Sequence, residues 1–161
     1  MKHLPTAGWL TVALAAFLLL AGPAAAMAPA PSSEPVTAAD PDYVAANELI
    51  AAERYAEAVP LLEKVIERDP DNADAWSQLG FASRKTRTWA KSEMYYAKAL
   101  ALDPKHEQAM EYMGEMYLET DRPELARTML DKLVKLCPDA CPGRTELEIA
   151  FEAYNRKKAA K

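Results

Sequence analysis

Glycine and histidine are scarce in this chain of 161 residues, with 5 and 2 copies. So few glycines leave little room for a Gly-rich phosphate loop or for the tight turns of an all-β fold. So few histidines set aside zinc sites of the HExxH kind and di-iron bundles, and they leave little for a Ser-His-Asp site. Positive charge is also in deficit, with Lys+Arg 19 against Asp+Glu 24 and a net charge of −5. No excess of cations is available to displace counterions from a phosphate backbone, so nucleic acid is not an expected partner. Only 2 cysteines are present, and they lie close together at Cys137 and Cys141. What remains, 50% hydrophobic and 27% charged, is the composition of one ordinary globular domain.

The N-terminal segment reads as an address. Lys2 precedes an apolar run from Trp9 to Leu20, Gly22-Pro23 ends it, and Ala24-Ala25-Ala26 supplies small residues for a signal peptidase. The expectation is a secretory signal peptide over 1–26, cleaved near Ala26, and a bacterial periplasmic location. The run is shorter than the roughly 20 apolar residues that span a bilayer, so no stable membrane anchor is expected after cleavage. Residues 27–38, rich in proline, alanine and serine, form a linker. Cleavage leaves His106 as the sole histidine. Flanked by Lys105 and Glu107 in a turn, it is expected to be solvated.

Beyond the linker, Pro70, Pro104 and Pro138 recur every 34 residues, each just after an apolar helical run that proline cannot continue. A period of 34 is that of a helix-turn-helix unit. The middle unit carries Trp76, Leu79, Gly80, Tyr96, Ala99 and Pro104; the third carries Met110, Met113, Gly114, Tyr117, Ala126, Leu130 and Pro138. The first keeps Ala45, Ala46, Leu49, Ala58, Leu62, Val65 and Pro70 but has Asp42 at the position of the tryptophan. On these residues the chain resembles the tetratricopeptide repeat family over 39–140. The resemblance implies an all-α fold, a right-handed α-solenoid of three helix hairpins (39–72, 73–106 and 107–140).

Periodicity agrees. Leu61, Leu62, Val65 and Ile66 share one helix face, as do Tyr95, Tyr96, Ala99 and Leu100, then Met129, Leu130, Leu133 and Val134. Small residues at Ala46, Gly80 and Gly114, opposite Ala58, Ser92 and Ala126, allow close approach of paired helices. A single hairpin cannot bury such faces, so stacking is required. Residues 141–161 are expected to add a capping helix and a basic tail. Thr145 and Glu148 have the spacing of a capping box at its start, and Leu147, Ala150, Phe151 and Tyr154 form its apolar stripe.

Cys137 and Cys141 flank the junction between the third unit and the cap, where a structural disulfide would clip the two together; a redox-active pair and a thiolate metal site are the alternatives. Met110, Met113 and Met116 have the spacing of a packed helix face and also that of a soft Cu(I) site. A periplasmic Cu(I)-binding or redox accessory protein is therefore the alternative to the main reading. No polar constellation suggests an enzyme, and no cofactor is expected.

The resemblance implies that the first helix of each unit lines a concave groove that holds a partner peptide. It places Tyr43, Asn47, Ile50, Asp74, Ser77, Phe81, Arg84, Lys85, Gln108, Glu111, Glu115, Leu118 and Glu119 on or near that surface. The family's carboxylate clamp is not met, because Phe81 stands where it needs asparagine; only Asn47 fits. The three units carry net charges of −6, +3 and −4. With Arg84, Lys85, Arg87 and Lys91 between acidic ends, a peptide with an acidic centre and basic flanks is expected. The resulting expectation is an exported scaffold or assembly factor of an envelope complex, whose partner is a protein or peptide.

Overall fold

The structure is a computed structural model and describes residues 40–160. The expected signal peptide, 1–26, and linker, 27–38, lie outside the described residues. Among the described residues seven helices follow one another: α1 (Pro41–Ala51), α2 (Tyr55–Arg68), α3 (Ala73–Lys85), α4 (Trp89–Leu102), α5 (Glu107–Glu119), α6 (Pro123–Leu136) and α7 (Pro142–Ala159). No strand occurs among the described residues. The most extensive contacts join α1 to α2, α3 to α4 and α5 to α6, while α2 packs on α3, α4 on α5, and α7 chiefly on α5. This is an all-α helical repeat.

The repeat is visible in the backbone. Glu53, Arg87 and Asp121, 34 residues apart, each adopt the left-handed region with φ of 58°, 57° and 60°. Each sits two residues past the last helical residue and lets the next N–H reach back to close the turn. Arg54 N–H donates to Leu49 O, Thr88 N–H to Ser83 O and Arg122 N–H to Tyr117 O, at 2.8, 2.8 and 2.7 Å. The hairpin therefore turns the same way three times.

At the start of α3, Asn72 caps the helix by accepting the Ala75 N–H at 2.9 Å. His106 occupies the same position one period later, and its Nδ1 accepts the Ala109 N–H at 3.3 Å. The ring is buried, and Nε2, which must then carry the proton, lies 3.1 Å from Asp74 Oδ1. The expectation of a solvated His106 is thus corrected: the period places it at a helix N-cap that the neighbouring unit covers.

Tight packing forms around the small residues. Ser92 Oγ donates to Gly80 O at 2.8 Å, and a Cβ at Gly80 would stand 2.5 Å from the ring of the fully buried Tyr96. Gly114 meets Leu147 of α7 in the same way. Of the expected core face of α6, Val134 is instead 38% exposed.

The cap helix departs from the capping-box expectation. It begins at Pro142, three residues before Thr145, because proline is pre-set for the first helical position. Thr145 lies inside the helix and its hydroxyl donates to Cys141 O at 3.1 Å, while Glu148 pairs with Arg144 at 2.9 Å. An orphan N–H of the first turn is satisfied from another element, since the buried Gly143 N–H donates to Glu107 Oε1 of α5 at 2.7 Å. Leu147 and Phe151 are buried as the stripe requires. Arg156 to Ala159 continue the helix instead of forming a tail, and Lys158 pairs with Asp121 at 2.6 Å.

Candidate functional site

The first helices of the hairpins, α1, α3 and α5, present one inner face, and its residues fall into three groups. Nearest the N-terminus, the Tyr43 hydroxyl sits among Asn47, Gln78 and Asp74; burial and the Asp74 charge push its pKa up. Asp74 is itself held below the usual carboxylate range by the adjacent His106 ring. Ile50 is half-buried and packs into the α1–α2 core. Ser77 is fully buried beneath this surface and is not available to a ligand.

In the middle stands an aromatic pair. The Phe81 and Tyr112 rings, both half-buried, have centroids 4.6 Å apart. Tyr55 meets Phe81 edge-on at 5.8 Å, and Lys85 Nζ lies 5.1 Å from the Phe81 centroid. Gln108 Nε2 donates to the Tyr112 hydroxyl at 3.1 Å, which fixes that ring. Tyr112 and Gln78 were not singled out in the sequence. They are 34 residues apart, so the repeat itself is the signal that would have found both.

Toward α7 the surface is acidic. Glu107, Glu111, Glu115 and Glu119 follow at four-residue intervals along α5 and so share one helix face. Arg84 lies against this row, 4% exposed, paired with Glu115 and within 3.7 Å of Glu119, and donating to Tyr112 O at 3.2 Å. The expected basic patch therefore loses its central member: Arg84 neutralises α5 and is not free for a ligand. Lys85, Arg87 and Lys91 remain exposed. Glu111 has no such partner. Burial, with Glu115 and Glu146 of α7 beside it, pushes its carboxyl up to about 7 despite the opposing effect of Arg84. Leu118 is buried, and beside it Arg84, Glu119, Ala150, Tyr154 and Lys157 line a cleft of about 300 Å³ between α5 and α7.

This arrangement of hairpins matches a family model, Tetratricopeptide repeat, over residues 43–106 and 83–140. The chain belongs to the tetratricopeptide repeat family. Among curated relatives, Protein FlbA of Caulobacter vibrioides is 31% identical over 115 residues, 71% of this chain and 19% of that protein. The peroxisomal targeting signal receptor of Saccharomyces cerevisiae is 30% identical over 79 residues, 49% of this chain and 13% of that protein. The chain thus spans less than a fifth of the length of either. Among solved structures, MamA from Desulfovibrio magneticus RS-1 superposes with a TM-score of 0.57 at 27% identity, covering 59% of this chain and 54% of that one. The first tetratricopeptide repeat domain of Spaghetti (RPAP3), bound to the HSP90 peptide SRMEEVD, superposes with a TM-score of 0.61 at 21% identity, covering 68% and 87%.

Arrays of this family mediate protein–protein interaction. Met110, Met113 and Met116 are all buried in the apolar core around α5, so the copper reading loses its ligands to packing. Among the described residues no three His, Cys, Asp or Glu side chains gather as a metal ion requires. Cys137 and Cys141 approach with Cα atoms 5.9 Å apart, within disulfide range.

Proposed function

We propose that this tetratricopeptide repeat protein is an exported, periplasmic scaffold that holds a peptide segment of an envelope protein on its inner face. The Phe81–Tyr112 pair carries the reading: two half-buried rings stand side by side on the inner face of α3 and α5, with Arg84 and Lys85 against them and the carboxylates of Glu111 and Glu146 on the side toward α7. Such a surface takes an aromatic or aliphatic anchor in the middle and charge at its edges. The RPAP3 domain bound to its HSP90 peptide supports the reading that this kind of hairpin array can hold a peptide. The partner's charge differs from the sequence-based expectation. With Arg84 engaged by Glu115 and Glu119, the carboxylates of Asp74 and Glu146, with Glu111 partly ionised at neutral pH, favour a cationic segment over one with an acidic centre. The exposed Lys85, Arg87 and Lys91 leave a separate cationic edge at the end of α3 and the start of α4. The Lys2-led apolar segment supports export, and oxidation of Cys137 and Cys141 follows from it.

Fluorescence polarisation with two labelled peptides, one Lys/Arg-rich and one Glu-rich, each with a central aromatic residue, tests the groove. The cationic peptide binds, and the double substitution Glu111→Gln, Glu146→Gln weakens it about tenfold. Preference for the Glu-rich peptide would overturn the assignment. Fractionation of expressing bacteria, with intact mass of the product, checks loss of residues 1–26 and oxidation of both thiols.

A further inference from the structure

The opposite, outer face is built from the second helices, α2, α4 and α6. Two clefts open on it, of about 520 and 380 Å³, and they are the same cleft one period apart. Ile66, Trp76 and Lys98 in the first correspond to Leu100, Met110 and Lys132 in the second. Their charges are opposite. The first is bordered by Glu63 and Glu67 of α2, with the single cation Lys98 across from them; the second, floored by Leu100, Met110 and Leu136, is ringed by Lys105, Lys132 and Lys135 with no carboxylate in its lining. These three lysines make no ion pair among the described residues, whereas the arginines Arg54, Arg68, Arg84, Arg122, Arg144 and Arg156 all do.

Between the clefts runs α4, which carries an exposed apolar strip beside the exposed Lys91 and Lys98. Met94 is 56% exposed, with exposed Ala97 and Ala101 following on the same face. The positions equivalent to Ala97 and Ala101 are Glu63 and Glu67 in α2 and Asp131 and Lys135 in α6, and those equivalent to Met94 are Pro60 and Thr128, so an apolar outer face is not a general demand of the repeat. Being separated by α4 on one packed array, the acidic and basic clefts of a single chain cannot meet each other. A second copy can satisfy both.

We propose that the outer face is a self-complementary surface on which two copies of this chain pair back to back. A two-fold axis through α4 lays the Glu63–Glu67 cleft of each copy over the Lys132–Lys135 cleft of the other, so both contacts form at once and the assembly closes at two. Met94 is desolvated at the centre, and the charges fix the orientation. The proposal is independent of the inner groove, since it uses the other helix of every hairpin.

Sedimentation equilibrium of the full chain, with signal peptide removed, tests it by charge swapping. Lys132→Glu with Lys135→Glu weakens self-association about tenfold, and so does Glu63→Lys with Glu67→Lys. Mixing the two reversed proteins restores the pair, and so does placing all four substitutions in one chain; an incidental charge effect restores neither. Met94→Glu, at an exposed position that folding does not depend on, also weakens the dimer, and far-UV circular dichroism confirms that each variant is helical. A wild-type chain that stays monomeric at high protein concentration overturns the proposal. So does a dimer indifferent to these charges, or one that mixing fails to rescue. Peptide binding on the inner face is expected to be unchanged in every variant, so the two readings fail separately.

Discussion

The guanidinium of Arg84, near the end of α3, is 4% exposed and donates to the carboxylate of Glu115, 31 residues later on α5. A cation so buried depends on its partner, because desolvation opposes its charge while Glu115 and Glu119 hold it. The pair links the second hairpin to the third across the inner face.

Glu115→Ala should therefore destabilise the fold by about 3 kcal/mol, since it leaves a buried guanidinium uncompensated. Arg84→Met keeps much of the volume without the charge and should cost less. Urea unfolding followed by circular dichroism measures both. Reversing the Arg84 charge would disturb the array itself, so a loss of partner binding in that variant would say nothing about the groove.

The raised carboxyl of Glu111 predicts a pH dependence of definite sign. Its pKa is 4.5 in the ordinary state and about 7 in the fold, so the folded chain holds the proton more tightly than the unfolded one. Stability from this group is full below about pH 4.5 and is lost as pH rises through 7. Glu111→Gln should flatten that decline and raise stability at pH 8 by on the order of 1 kcal/mol, after allowance for solvent screening. Thermal melts of both proteins between pH 5 and 8 check it; parallel curves would refute it.

The left-handed positions offer a matched comparison. Arg87→Gly relieves the Cβ crowding of a φ of 57° and should stabilise by up to about 1 kcal/mol, part of the gain being offset by the looser unfolded chain. Asp121 has the same backbone, but it accepts from the Tyr154 hydroxyl at 2.6 Å and pairs with Lys158, tying the hairpin turn to α7. Asp121→Gly should melt below Arg87→Gly. Differential scanning calorimetry of the two separates backbone relief from lost contacts.

Much of this was legible in the sequence because a repeat states each local rule three times. Pro70, Pro104 and Pro138 end helices wherever they stand, and Gly80 marks close approach whatever it approaches. The copper motif was ambiguous because a packed face and a ligand row on a helix have the same spacing, and only burial of Met110, Met113 and Met116 distinguishes them. The Thr145–Glu148 pattern misled because a capping box is a local signal, while the first turn of α7 is satisfied from Glu107, 36 residues away.

The sequence by itself determined the helices, their pairing and the period, since turn chemistry and apolar spacing act over a few residues. Only the tertiary structure decided which charges are free. Coulomb interactions and desolvation depend on distances between side chains far apart in the chain, so the Arg84 that reads as a ligand-seeking cation became a strut between hairpins, and the solvated-looking His106 became a buried cap.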